Sequence, residues 1–393
     1  MDYRQNKKNN DDIKKKELND LISTDGQIKR ENIIEAENIL FNNTYKNLKY
    51  DEYGFVDKND NKQKDNNNSE QEKELSLLDM QKENIKLKEW LEITPYFENY
   101  MKKNPKKLKL KIRKGIPDSL RGEIWMKISG ADKFKQGREN LYNELLTKIN
   151  KNELYKVPDE DIIIKDMNRT FPKNLMFMNR LGDGQRKLFR VLSCFSSYNK
   201  KIGYVQGMSF ITAFFLSYLS EENAFWMLLN YMKNYGLQDL YYREFPGLKK
   251  NLFVLLKLMQ KLLPDVYDVL TKNEIYPTIY ASSWYLTNFT NILSFENVLR
   301  IMDCFFYEGI KIIHRISLGI LALNRDAILK SRVVSDVMGA LKNMTEKINI
   351  EVLFKVSFGF SISKKQISKY EELYNDHKNG RKPGDEDIMN QLQ

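Results

Sequence analysis

From about residue 80 the apolar positions of this chain recur at helical spacing, and the polar residues between them fall where helices start and stop. In PDSLRGEIWMKISG, Pro117 suits a first turn, Leu120, Ile124 and Ile128 return every fourth residue, and Gly130 stands where a C-cap is wanted. QRKLFRVLSCFSSY at 185–198 places Leu188, Val191, Leu192 and Phe195 on one face. Ser220 reads as an N-cap, Glu221 and Glu222 suit the first turn, and Ala224, Phe225, Leu228, Leu229 and Met232 form the apolar face before Gly236. Ser294 repeats the device, with Val298, Ile301, Met302 and Phe305 as the stripe and Gly309 as the stop. Strand-type alternation is confined to LKLKIRK at 108–114. Many helices of ordinary length, short connections and no internal repeat predict an all-α fold. The expected form is one large multi-helix domain, not a solenoid or coiled coil.

Composition changes this picture at the two ends. Hydrophobic residues make up 41% of the 393, yet stretches such as DKNDNKQKDNNNSEQEKE at 57–74 cannot bury enough apolar area to offset their ordering entropy. Residues 1–79 are therefore expected to be a mostly disordered Asn/Lys-rich leader. Residues 80–110 follow as a helical lead-in with a basic segment, 111–376 as the folded domain, and HKNGRKPGDEDIMNQLQ as a flexible tail over 377–393. The net charge of +11 is concentrated in KKNPKKLKLKIRK at 102–114, which holds eight cations and no acid. Such a run reads first as a solvated arm. Weak attraction to an anionic membrane surface is its next meaning, and nucleic acid is not expected as a partner because no reading motif accompanies it.

The supply of reactive side chains narrows the chemistry. Two cysteines, Cys194 and Cys304, lie in apolar helical patterns as buried thiols, which fits a reducing, cytoplasmic compartment. Two histidines, His314 and His377, leave little material for a His-centred triad or metal site, and no metal or cofactor is expected. FITAFFLSYL at 210–219, the longest apolar stretch, is too short to span a bilayer. No GxxxxGK[ST], GxSxG or HExxH occurs, and the Gly-x-Gly at 182–184 opens a helix without a preceding strand.

Two segments hold residues whose purpose is not obvious. In DIIIKDMNR, Asp161, Lys165 and Arg169 fall at i, i+4 and i+8, and the plain reading is a solvated ion-pair row on an amphipathic helix. In GYVQGM, Gly203 and Gly207 punctuate a loop-to-helix junction, with Gln206 or Ser209 as the cap.

Taken with their neighbours, these segments fit a larger order. RKGIPDSLRGEIW at 113–125, IIKDMNRTFP at 163–172, GYVQGM at 203–208, SSWYLTNF at 282–289 and RIMDCFFYEGI at 300–310 follow one another along the chain. Together they resemble the TBC domain, the helical module of GTPase-activating proteins for Rab GTPases. Ile163, Asp166 and Arg169 fit its IxxDxxR motif, and Tyr204 and Gln206 its YxQ motif. The resemblance covers roughly residues 110–345. Upstream, DEYGFVD at 51–57 and KEWLEI at 88–93 look like Tyr-Gly-Phe and Lys-x-Trp elements found before the domain in one group of these proteins. The leader is thus expected to contain a short ordered island near 51–57 that packs back on the domain. His314, where related domains usually carry an aromatic, and SFENVL at 294–299, which lacks a common proline, depart from the pattern.

The resemblance implies a GTPase activator working on a GTP-bound Rab, in the cytoplasm or peripherally on endomembranes, with a place in vesicle trafficking. By carry-over Arg169 is an arginine finger and Gln206 a glutamine finger, both supplied in trans. GTP and Mg2+ belong to the partner and none is bound by this chain. An arginine presents a permanently charged planar fork to the charge that builds on the transferred phosphoryl group, and an amide can both accept from water and donate to phosphate. Asp166 then supports Arg169, Tyr204 shapes the loop carrying Gln206, and Gly203 and Gly207 allow close backbone approach. Arg121, Trp125, Trp284 and Asp303 match family positions and read as scaffold. The competing reading is a catalytically silent scaffold that only binds a GTP-loaded small GTPase.

Overall fold

The computed structural model describes residues 49–56, 70–151, 157–345 and 347–380, together with 389 and 392. The chain divides into two units, one formed by 1–62 with 137–204 and the other by 63–136 with 205–393. The expected disorder of the leader falls, for residues 1–48 and 57–69, outside the described residues. All regular elements among the described residues are helices, apart from the isolated bridges Tyr50 to Val56 and Phe55 to Asn174.

The first unit is built on the helix Asp183–Tyr198, which the 185–198 pattern anticipates. Leu188, Val191, Leu192 and Phe195 are buried, and the helices Leu141–Lys151 and Glu160–Met167 pack against it. Gly182 caps its N-terminus. Gly184 is needed because a side chain there would overlap the carbonyl of Met176.

The second unit begins with the helix Glu70–Leu91, upstream of residue 80 where folded structure is expected to begin. The strand-like LKLKIRK is helical instead. Pro105 opens the helix Pro105–Arg113, Leu108 and Ile112 face inward one turn apart, and Leu110 is left exposed. The same helix explains part of the basic run. Lys109 and Arg113 reach Glu308 at 2.8 and 2.7 Å, and Lys111 pairs with Glu89. Burial pushes the Glu308 carboxyl up, but Arg113 and Lys109 outweigh it and hold it below the ordinary range. Lys102, Lys103, Lys106, Lys107 and Lys114 are the cations of the run that face solvent.

The helix Met208–Leu216 is apolar on all sides and correspondingly enclosed. Ser220 and Ser294 cap Glu221–Asn234 and Phe295–Glu308 as expected, each accepting from the backbone N–H of the third residue on. Trp125 lies in this core, 5.3 Å from the Phe214 ring and 5.4 Å from Phe306. Its indole N–H donates to Asp303 at 2.7 Å, the Ile116 N–H donates to the same carboxylate at 3.1 Å, and the Arg121 Nε lies 3.4 Å away. Trp284 packs edge-on to Tyr280. The scaffold reading of Arg121, Trp125, Trp284 and Asp303 thus has a physical content. Asp303→Ala leaves the buried N–H donors of Trp125 and Ile116 without their acceptor and takes one of two carboxylates from Arg121, which keeps Asp118, and is expected to destabilise the chain by about 1–3 kcal/mol for each unpaired donor. A urea midpoint equal to wild type would contradict this.

His314 is fully enclosed in the helix Lys311–Leu323, its Nδ1 2.8 Å from the Tyr285 hydroxyl. Burial holds its pKa down at about 3. An unfolded histidine titrates near ~6.5, so as pH falls from there toward 3 the unfolded chain takes up a proton that the folded chain refuses. Stability is lost over that window at up to about 1.4 kcal/mol per pH unit, and His314→Phe is expected to flatten the slope. Urea unfolding of both chains between pH 7 and 4 measures it.

Cys194 and Cys304 are buried free thiols, as expected. The last helix runs Lys364–Lys378 and so passes the expected domain limit at 376. Leu392, within the stretch expected to be a flexible tail, is buried. No helix among the described residues is long and apolar enough to cross a membrane.

Candidate functional site

In the first unit the helix Glu160–Met167 turns Ile163, Asp166 and Met167 inward and leaves Asp161 and Lys165 outside. It ends before Arg169. The N–H groups of Arg169 and Thr170 donate three residues back, to Asp166 and Met167, so the chain leaves in a tightened last turn. The buried Thr170 hydroxyl closes that end by donating to the Asp166 carbonyl at 2.7 Å. The ion-pair row expected of Asp161, Lys165 and Arg169 is therefore not formed: Arg169 sits beyond the helix.

Its partner is Asp166. The guanidinium approaches Asp166 Oδ1 to 2.5 Å, with the Arg169 side chain 49% exposed and that of Asp166 only 4%. The other carboxylate oxygen accepts from the Tyr204 hydroxyl at 2.6 Å, deep in the unit. Each oxygen thus has its own donor, and the buried carboxylate joins the arginine of one motif to the tyrosine of the other. An exposed ion pair alone fixes little, but here one partner is held by a buried hydrogen bond. Tyr204→Phe leaves a buried carboxylate oxygen without its donor, at a cost of about 1–3 kcal/mol, read as a lower urea midpoint. An unchanged midpoint would show that the bond holds nothing.

Tyr204 is fixed at its backbone as well. Its N–H donates to Asp159 Oδ2 at 2.8 Å. Gly203, at φ +64°, lies so close to that carboxylate that a side chain would overlap it. Asp159 itself has φ +59° and stands before the helix Glu160–Met167, yet its side chain caps nothing there and serves Tyr204. Sequence reasoning did not single it out. An Asp immediately before a helix in VPDEDIII looks like an ordinary N-cap, and its true acceptor role lies 45 positions away.

Gln206 and Gly207 belong to the second unit. Gln206 is exposed in a turn closed by the Met208 N–H to the Val205 carbonyl at 3.1 Å. Gly207 takes φ +100° and ψ −19°, the third position of a type II turn, which only glycine adopts readily. The N-cap expected at Gln206 or Ser209 falls on Gly207 instead, and Ser209 is buried within the helix. The turn instead holds the glutamine outward.

The described residues thus bring Asp166, Arg169, Tyr204, Gly203 and Asp159 together, and present Gln206 on its own turn. No group of three or more His, Cys, Asp or Glu among them is arranged to hold a metal ion. What remains is a cation and an amide held out to solvent by buried neighbours.

A family model described as the Rab-GTPase-TBC domain matches residues 118–329. The chain is similar to the TBC1 domain family member whacked of Drosophila melanogaster, 35% identical over 66% of this chain and 71% of that one. It is also similar to growth hormone-regulated TBC protein 1 of Xenopus tropicalis, at 34% over 61% and 69%. Among solved structures it resembles the Chlamydomonas flagellar RabGAP TBC domain, with a TM-score of 0.58 and 28% identity over 70% of this chain and 96% of that one.

Proposed function

The chain belongs to the Rab-GTPase-TBC domain family, whose general role is Rab GTPase activation, and from that premise we propose that it accelerates GTP hydrolysis by a GTP-bound Rab, with Arg169 and Gln206 inserted in trans. The observation that carries this reading is Arg169: a half-exposed guanidinium just past a helix end, aimed by a buried carboxylate that Tyr204 holds. A solvated surface arginine would need no such support.

Hydrolysis of GTP is slow because charge grows on the transferred phosphoryl group while the attacking water is loosely held. An arginine finger meets that charge with planar, permanently ionised donors, and for Ras-type GTPases such help is worth about 10³–10⁵ in rate, or about 4–7 kcal/mol of barrier. Gln206, neutral and exposed at the tip of a glycine-shaped turn, orients the water through its carbonyl while its NH2 donates. GTP and Mg2+ arrive with the partner. Weak attraction to an anionic membrane surface is assigned in this reading to the exposed lysines of the 102–114 run.

A transition-state mimic tests this directly. Wild type is expected to bind a GDP and aluminium fluoride-loaded Rab far more tightly than the GDP form, and Arg169→Ala is expected to lose that preference. Equal binding of wild type to GTP-analogue and aluminium fluoride forms would favour the silent scaffold instead.

A further inference from the structure

Residues 50–56, from the far side of the leader, form a knot of their own in the first unit. Asp51 Oδ1 accepts from the N–H groups of Tyr53 and Phe55 at 3.0 and 2.8 Å, and the Asp51 N–H donates to the Phe55 carbonyl at 2.9 Å. Gly54 makes the reversal possible at φ +80°. Three hydrogen bonds and a ring contact tie this knot to one short segment. The Leu175 N–H donates to the Gly54 carbonyl and the Val56 N–H to the Lys173 carbonyl, both at 2.8 Å. Asn174 Nδ2 donates to the Tyr53 carbonyl at 2.9 Å, across 121 positions of chain. The Phe55 ring meets the Phe171 ring edge-on at 5.6 Å.

That segment is the continuation of Arg169. Phe171, two residues on, is buried and held at φ +46°, a conformation a bulky residue keeps only when its surroundings over-determine it. On the helix side Asp166, Thr170 and Tyr204 fix the arginine. On the other side the fixing comes from the knot. We infer that residues 51–56 are a strap that positions Arg169, with Phe55 as its anchor, by clamping the 171–175 segment that directly follows the finger. This rests on the reading of Arg169 as the finger. Phe55 touches neither GTP nor GTPase in this scheme and is a positioning residue, not a catalytic one.

The test uses the full chain with Phe55→Ala, the conservative Phe55→Tyr, and Asp51→Ala, which unties the knot from an exposed position. Single-turnover hydrolysis is followed at saturating chain, alongside affinity for the GTP-loaded Rab and amide exchange of residues 166–178. A misplacement of the finger by about 1 Å is expected to cost about 10–100-fold in the stimulated rate, with affinity changed by no more than about twofold. Exchange over 166–178 is expected to quicken in Phe55→Ala and Asp51→Ala, and Phe55→Tyr to restore both rate and protection. A rate unchanged despite faster exchange would overturn the positioning role, and so would unchanged exchange. A parallel loss of rate and affinity with a lowered unfolding midpoint would mark the knot as general stabilisation and overturn it too. If wild type stimulates no Rab, the finger reading fails with any catalytic role of the strap, and exchange alone decides whether the clamp exists.

Discussion

Arg169→Ala is expected to lower the stimulated rate of GTP hydrolysis by about 10³–10⁵-fold, the full worth of an arginine finger, while leaving the chain folded. The chain is expected to stay folded because the side chain is 49% exposed and its ion pair with Asp166 joins it only to an adjacent turn. Asp166 keeps the Tyr204 hydroxyl but its other buried oxygen loses this donor, so a loss of about 1–3 kcal/mol is expected, as for Tyr204→Phe. Arg169→Lys is expected to recover little of the rate. A point charge on a flexible stem does not reproduce two parallel N–H donors against phosphoryl oxygens. Single-turnover kinetics with a urea unfolding curve on each variant separates the effects. A variant that folds and still stimulates at the wild-type rate would remove Arg169 from the mechanism.

The second large effect is expected at Gln206. If its amide holds the attacking water, Gln206→Ala removes one preorganised partner of the transition state, at a cost of about 10²–10³ in rate. The GTPase side supplies the sharper arm. A Rab whose own water-positioning glutamine has been replaced is expected to remain stimulated by wild type and to lose that stimulation with Gln206→Ala. Equal stimulation of that Rab by both chains would contradict the assignment. Because Gln206 is exposed, its replacement is expected to change the unfolding midpoint by no more than about 0.5 kcal/mol.

Features set by local chemistry were legible in the sequence. Ser220 and Ser294 cap the helices they were expected to cap, and Gly130 and Gly309 stop theirs at φ +76° and +74°. Cys194 and Cys304 are buried because each falls among the apolar residues that its helix turns inward. Features set by distant partners were not. LKLKIRK alternates like a strand, but Pro105 starts a helix there and Leu108 and Ile112 bury one face of it against Phe295–Glu308. The basic run looked uniformly solvated because Glu308, which takes Lys109 and Arg113, lies 195 residues beyond Arg113.

The candidate site divides the same way. The family resemblance, not the spacing alone, pointed to Asp166, Arg169, Tyr204 and Gln206; of the island expected near residues 51–57, residues 53–56 bond to the 173–175 segment. The helix face proposed for Arg169 was wrong because the Thr170 hydroxyl and a tightened turn end the helix first. The role of Asp159 and the target of the Tyr-Gly-Phe knot depend on pairings 45 and 121 positions apart, which no local pattern encodes.

The measurement that tests the central claim most directly is single-turnover GTP hydrolysis by a panel of GTP-loaded Rabs, each with and without a saturating amount of the full wild-type chain. One or a few Rabs are expected to be accelerated by about 10³-fold or more, and Arg169→Ala to abolish the acceleration. Tight, GTP-dependent binding of a Rab whose hydrolysis rate the chain leaves unchanged would contradict it.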